Sequence, residues 1–309
     1  MLVVQGYKDV PEQARGAVLA IGNFDGVHRG HQALLDLAVS IAADLDAPSG
    51  ALVFEPHPRE FFHPEEPHFH LTPLSQKLRL FERAGIDLAV VLKFDAGFAA
   101  LSAEDFIARI LVAALGARHV IIGHDFFFGR KRAGTPETMR EAAQRFGFGL
   151  TIVPPVAQDG EVFSSSAIRL RLAQGDVKGA AALLGRTWCV EGEVVGGARR
   201  GTGLGFPTAN VPLSHGTALG HGIYAVRVKV DGGEHDGAAY LGTRPTYDDG
   251  MPVLEVFLFD FDGDLYGKSI EVEFVDFIRP DRKFSSSEEL IMQMQRDVAR
   301  ARDILAAEG

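Results

Sequence analysis

Cysteine is almost absent: Cys189 stands alone among 309 residues. No intrachain disulfide can form, and a reducing cytoplasmic setting is the expectation. Positive charge is scarce too, with 31 Lys and Arg against 41 Asp and Glu for a net charge of −10. Up to Gly185 there are 18 basic and 21 acidic residues, and from Arg186 onward 13 and 20, so neither half is basic. A sequence-independent grip on nucleic acid relies on clustered Lys and Arg, so nucleic acid is set aside as a partner. No apolar run approaches the roughly 18 residues of a membrane span. The opening MLVVQGYKDVPEQARG lacks the charged and then apolar pattern of a secretory signal. A membrane partner is therefore not expected. Repeats at the roughly 20–50-residue periods of solenoids are missing as well.

What the chain has is core and glycine. Apolar residues make up 46% and charged residues 23%, the balance of a folded chain and not a disordered one. Glycine numbers 35, about 11% against a usual ~7%, without the period of collagen. At roughly 150 residues per domain the length predicts two domains. A change of texture at Arg186 divides them into 1–185 and 186–309.

From Ala17 to Val156, short apolar runs alternate with stretches of helical period. AVLAI (17–21), ALVF (51–54), LAVVLKF (88–94), HVIIG (119–123) and LTIVPPV (150–156) read as strands. Between them Leu34, Leu37, Ala38, Ile41 and Leu45 recur at helical spacing, and 73–84, 102–115 and 136–147 also read as helices. Strict alternation predicts an α/β domain, a doubly wound parallel sheet of Rossmann-like type. Its ligands are expected outside the carboxyl ends of the strands. After two short helices in 164–186 the helical period disappears, and 14 of the 35 glycines fall between Val190 and Gly250. GIYAVRVKV (222–230), VLEVFLFDF (253–261) and SIEVEFVDF (269–277), parted by turn residues, predict a small antiparallel β-barrel or sandwich. SSSEELIMQMQRDVARARDILAAEG (285–309) reads as a terminal helix with a Ser cap.

The densest signal in the first half is AIGNFDGVHRGHQALL. It runs from a strand end through Gly22, Gly26 and Gly30 into a helix, an arrangement that aims backbone N–H groups at an anion. The spacing is neither GxGxxG nor a Walker loop. His28 and His31, three apart at the helix entrance, share one face and could reach one phosphate, where two donors would stabilise charge growing during transfer. The plainer alternative is that one histidine caps the helix and the other is surface filler.

This stretch resembles the HxGH nucleotidyltransferase superfamily. GNFDGVHRGH (22–31), FEPHPREFF (54–62), GHDFFFGRKRAG (123–134) and SSSAIR (164–169) also occur in the order and spacing of the bacterial bifunctional riboflavin kinase/FMN adenylyltransferases, the FAD synthetase family. The resemblance covers nearly the whole chain. It implies that Gly22, Asn23, His28, Gly30 and His31 contact ATP phosphates and that Ser164, Ser165 and Arg169 form a second phosphate grip. Ser166 stands where Thr is more frequent, and the hydroxyl survives. Pro56, His57, Pro58, Phe62, Asp125, Phe126 and Phe128 resemble the flavin side of the adenylylation site. An isoalloxazine ring needs flat apolar faces, and 22 of the 28 aromatic residues are Phe; each could equally be a core residue.

In the second half, GEVVGGARRGTGLGFPTANV (192–211) is glycine-rich, and such a segment can lie close over a nucleotide because no Cβ holds it away. A Thr hydroxyl and an Asn carbonyl two apart, Thr208 and Asn210, are hard oxygen ligands suited to Mg²⁺. GFPTAN, with LGTRPTYD (241–248), EVFLFDFDGDLYG (255–267) and IRPDRKFSS (278–286), matches the riboflavin kinase signature in family order. The resemblance implies Gly205, Thr208 and Asn210 at the nucleotide, Glu255 as base on the ribityl hydroxyl, and Arg279 in a flap over the flavin. A positioned carboxylate suits an alcohol of pKa ~16, which is a poor nucleophile unaided. Thr202, Tyr240 and Phe257 depart from the family's usual basic residue, Asn and His. These changes touch the polar surroundings of the kinase site and spare its base and metal ligands.

Other patterns are decoys. Asp260, Asp262 and Asp264 with Glu271 imitate a calcium loop, but Leu265 occupies the position that needs Gly. Gly267-Lys268-Ser269 ends like a Walker motif with Gly263 one residue too near. His63, His68 and His70 beside Glu65 and Glu66 read as a loop near the flavin pocket in preference to a metal site. The resemblance implies an enzyme that converts riboflavin to FMN and FMN to FAD with MgATP, its partners small molecules. Retention of one activity alone, or of flavin binding without catalysis, are the alternatives. The oligomeric state is left open by the sequence.

Overall fold

A computed structural model describes residues 1–158, 160–196, 206–213, 216–243 and 252–308. Contacts divide the chain into two compact units, Met1–Ser165 and Ser166–Gly309.

The first unit is built on six parallel strands: β1 (Leu2–Gln5), β2 (Val18–Ile21), β3 (Ser49–Glu55), β4 (Leu88–Lys93), β5 (His119–Gly123) and β6 (Gly149–Val153). They lie in the order β1-β4-β3-β2-β5-β6. The expected strand at 150–156 stops at Val153, since Pro154 and Pro155 have no N–H for a ladder. From β2 the chain steps through β3 to β4 on one side and then returns to β5 and β6 on the other. The sheet's switch point therefore lies between the carboxyl ends of β2 and β5. Successive residues of β2 alternate between two cores, Leu19 and Ile21 on one face, Val18 and Ala20 on the other. Both faces are dry, so the strands read as continuous apolar runs.

Helices α1 (Arg29–Leu45), α2 (Pro58–Phe62), α3 (Leu74–Arg83), α4 (Ala96–Ala99), α5 (Ala103–Asp105) and α6 (Pro136–Phe146) connect the strands. The helix expected over 102–115 is only briefly α-helical, because Phe106–Ala114 winds as a π-helix. Phe106, Ile107, Ile110 and Leu111, with Leu115 just past the helix end, enter one core. Two further strands, β7 (Ala157–Gln158) and β8 (Glu161–Val162), form a short hairpin.

The second unit begins with α7 (Ser165–Ala173) and α8 (Val177–Leu184). The contact boundary thus precedes the change of sequence texture at Arg186, because α8 packs on the barrel strand β14. Strands β9 (Cys189–Glu193), β10 (Ala209–Pro212), β11 (Gly222–Val230), β12 (Gly233–Thr243), β13 (Pro252–Leu258) and β14 (Ser269–Pro280) run antiparallel in the order β10-β13-β12-β11-β14-β9. Val195, just past β9, bridges to Asn210 on β10, so the two sheet edges meet and the barrel closes. The terminal helix α9 (Ser287–Ala307) opens on the Ser286 hydroxyl, which accepts the Glu289 N–H at 3.2 Å. It packs Ala301, Ile304 and Leu305 against Ala225, Ala238 and Phe259.

Phe81 of α3 is fully buried and meets Phe24 edge-on, with ring centroids 5.4 Å apart. Phe24 belongs to the turn after β2, where its φ is +50°, a strained conformation for a bulky residue. The ring contact clamps that turn from below. Phe81→Ala is expected to cost about 3–5 kcal/mol and Phe81→Leu under ~1.5 kcal/mol, read from urea unfolding of the first unit.

Candidate active sites

At the switch point, residues 22–28 make a sharp turn in which Phe24, Gly26 and Val27 all have positive φ, the last unusual for a β-branched residue. Such strain persists only where the surroundings enforce it. Here Asp25, 2% exposed, enforces it: its Oδ1 accepts the N–H of Leu71 at 3.0 Å and of Thr72 at 3.2 Å. The Ser165 hydroxyl donates to the Asp25 carbonyl at 2.7 Å. Lys77 Nζ donates to the Asn23 carbonyl at 2.8 Å, and Gln32 Nε2 to that of Val27 at 2.9 Å.

The turn delivers His28 to the N-cap of α1, where its Nδ1 accepts the His31 N–H at 3.3 Å. One of the two histidines therefore does cap the helix, and capping leaves its Nε2 to carry the proton of the neutral ring. The two rings stack, centroids 3.6 Å apart and 19° from parallel. Gly30 lies between them because a Cβ there would come within 3.1 Å of the His28 ring and 3.3 Å of the Phe163 carbonyl. Burial, then the neighbouring His28 and Lys77, hold the His31 pKa well below its ordinary value, so His31 is neutral at pH 7. His31 Nδ1 and Asn23 Oδ1 are buried without a hydrogen-bond partner. His31 Nδ1 could donate to a phosphate in the tautomer that protonates it, and Asn23 Oδ1 could accept from a donor of a ligand at this helix N-terminus. Gly22 forms the first step of the turn and Ser164 precedes α7. Arg169, half-buried, falls within the second unit.

Of the residues expected on the flavin side, Pro56 follows β3 and His57 caps α2, accepting the Arg59 N–H at 3.1 Å, with Pro58 as the first helical residue. Glu60 accepts the His57 N–H at 3.2 Å and pairs with His70 at 2.6 Å. Phe62 is 59% exposed. From it a chain of rings runs inward through Phe94, Phe98 and Phe106 to Phe128. Phe128 is a core residue, and the half-buried Phe126 stacks on it at 5.4 Å. Asp125 is exposed at the end of β5. His63, His68 and His70 form no metal cluster with their neighbours among the described residues, nor do Asp260 and its acidic neighbours. Asp260 instead holds Arg302 at 2.8 and 3.0 Å.

The second unit has a cavity of about 830 Å³ between the barrel and α9. Glu255 of β13 lies directly opposite Asn210 of β10 on one side and Tyr240 of β12 on the other. Directly opposed residues share a sheet face. The Thr208 hydroxyl donates to Glu255 Oε2 at 3.4 Å. Thr208, Asn210 and Glu255 are thus brought together, a set of hard oxygens suited to Mg²⁺. Phe257 packs edge-on against Phe206, centroids 5.4 Å apart, and Tyr240 donates its phenol to Asp281 at 3.1 Å. Two of the three departures from the family pattern have therefore become wall contacts of the cavity. The third, Thr202, lies outside the described residues, as do Gly205, Arg199 and Arg200.

Arg279 lines the cavity, but its guanidinium is held by Asp297 of α9, through Nε at 3.0 Å and Nη2 at 2.7 Å. Asp297 is 5% exposed and also accepts Gln293 Nε2 at 2.8 Å. Sequence reasoning missed Asp297, Asp25 and Lys77. A trace was there for two of them: Lys77 precedes Phe81 by four residues and Asp297 precedes Ala301 by four, so each charge lies on an apolar helical stripe.

Residues 10–167 match the FAD synthetase family model and residues 184–305 the riboflavin kinase model. The bifunctional riboflavin kinase/FMN adenylyltransferase of Haemophilus influenzae is 39% identical over 303 residues, covering 98% of each chain. Its counterpart in Escherichia coli K12 is 38% identical over 98% of this chain and 97% of its own, and that of Bacillus subtilis 36% over 93% and 92%. A crystal structure described as a macrolide-efflux protein from Streptococcus pneumoniae superposes with a TM-score of 0.85 at 31% identity, over 96% of this chain and 97% of that one. Among the described residues here, no helix is long and apolar enough to cross a membrane. With both halves matched in order, and nearly the full length shared with these relatives, the chain belongs to the bifunctional riboflavin kinase/FMN adenylyltransferase family.

Proposed function

We infer that this protein makes FAD in two ATP-dependent steps, residues 186–309 phosphorylating riboflavin to FMN and residues 1–185 adenylylating FMN. The observation that carries this reading is the presence on one chain of two differently built sites. One is a stacked histidine pair at a helix N-terminus, the other a glutamate and threonine in a barrel cavity.

In the kinase step Glu255 accepts the proton of the terminal ribityl hydroxyl as that oxygen bonds to the γ-phosphorus of ATP and the bond to ADP breaks. Thr208 and Asn210, with Glu255 beside them, would hold Mg²⁺, which when bound neutralises phosphate charge. The cavity aligns the two substrates, and alignment supplies much of the rate. In the adenylyl step an FMN phosphate oxygen attacks the α-phosphorus of ATP and pyrophosphate leaves, with no covalent intermediate on the protein. His28 donates from Nε2, and the neutral His31 ring and the free N–H groups of α1 add donors toward the charge that grows on the phosphate. Flavin stacks on the ring surface near Phe62 and Phe126. A cytoplasmic setting fits Cys189, whose thiol burial, aided by Glu271, pushes up to about 12, leaving it protonated and inert.

Purified protein given riboflavin and MgATP should yield FMN and then FAD on chromatography; folded protein that makes neither, with oxidised or reduced flavin, would overturn the reading. Glu255→Ala should lower FMN formation by about 10²–10⁴-fold while FAD formation from supplied FMN stays within about twofold. The double variant His28→Ala, His31→Ala should do the reverse, losing about 10²-fold or more in FAD formation and sparing the kinase. If either variant stops both reactions while remaining folded, the two sites are not separate.

A further inference from the structure

Lys77 is the one charged residue of α3 turned to the interior, and it is 3% exposed. Its ammonium has three protons to donate, and among the described residues it makes one hydrogen bond, to the Asn23 carbonyl at 2.8 Å, and no ion pair. The carboxylates that attract it are Asp25, Glu55 and Glu60. Two of these are occupied elsewhere: Asp25 by the N–H groups of Leu71 and Thr72, Glu60 by His57 and His70. On the side of α1, its charge is one of the causes that keep His31 neutral. Burial accordingly pushes the Lys77 pKa down from its ordinary value.

A dry cation with one neutral acceptor is costly, and an apolar side chain of the same length would serve the fold better. The groups around it define its place. Asn23 and Asp25 belong to the turn that leads into α1, while Glu55 and Glu60 flank Pro56, His57 and Pro58, the residues proposed at the start of the flavin side. His31 Nδ1, a further buried atom near the turn without a hydrogen-bond partner, can donate to an anion in the tautomer that carries its proton there. An anion arriving between the turn and the end of β3 would complete the ammonium.

We propose that Lys77 is the buried cation that receives the phosphate of FMN and orients its oxygen toward the α-phosphorus of ATP. The ammonium keeps its proton throughout: the new P–O bond forms, the bond to pyrophosphate breaks, and the cation offsets the negative charge of two phosphates brought together. The proposal rests on the adenylyl-transfer reading of the first unit.

Lys77→Met in the full chain tests it, with FAD formation from supplied FMN, FMN formation from riboflavin and thermal unfolding all measured. The expected result is a fall of about 10²-fold or more in kcat/KM for FMN, with KM for ATP within about threefold and the kinase unchanged. The melting temperature of the first unit should stay level or rise, since a dry charge has been replaced by a thioether of similar length. FAD formation within about threefold of wild type would overturn the proposal. So would a loss of activity with a lowered melting temperature, which marks a structural lysine, or a defect that falls on KM for ATP. If the unaltered protein makes no FAD in the same assay, the adenylyl-transfer reading itself fails, and Lys77 falls with it.

Discussion

Three distant segments of the first unit meet on Asp25. Its carboxylate accepts the N–H groups of Leu71 and Thr72, and its carbonyl accepts the hydroxyl of Ser165. A carboxylate with so little exposure is tolerable only when its lone pairs are filled, so the loop before α3 is obliged to close on the turn, and Ser165 adds a bond to its backbone. With the turn held there, Phe24 and Val27 stay at positive φ and His28 is presented to α1 as its cap. The stacked imidazoles, the orphaned Asn23 and His31 atoms and the buried Lys77 all follow from that closure. Removing charge from water is the recurring cost, and at Asp25 it is met by specific partners.

The second unit assembles its polar groups by other means. A parallel sheet supplies a helix N-terminus at its switch point, whereas the cavity of the second unit is walled by barrel strands and by the start of α9. The barrel instead puts Thr208, Asn210 and Glu255 on one face by cross-strand register. Its cavity wall depends on a buried ion pair: Asp297 of α9 holds Arg279 at the end of β14 and fixes where the following segment leaves the barrel. Arg279 reaches the cavity as part of that brace. Tyr240 adds a tie to the same segment through Asp281. Tyr240 and Phe257, near Glu255, contact other residues of the cavity wall, Asp281 and Phe206.

Much of this was legible in the chain before any coordinates. Period-two and period-3.6 patterns are local, so strands such as 119–123 and helices such as 136–147 emerged close to their true limits. Proline interrupted one strand early, and the π-winding of Phe106–Ala114 has no signal in a pattern that reads as an ordinary helical stripe. HxGH stands out from its own few residues at a strand-to-helix turn, whereas Glu255 is singled out only by the family resemblance of the segment it opens.

The sequence by itself determined the two textures, the parallel sheet and antiparallel barrel they imply, and the local signatures at each site. Tertiary structure alone decided which charges would be dry and what they would touch. Lys77 and Asp297 each lie on an apolar helical stripe, but a stripe reports only that a face turns inward. What that face meets comes from residues far along the chain: Asn23 for Lys77, Arg279 for Asp297. Phe62 and Phe128 look alike in sequence, yet packing leaves the first in the open and draws the second into the core beside Phe106. Burial is a property of the assembled fold, and the energies of buried polar groups depend on it far more steeply than on the identity of their sequence neighbours.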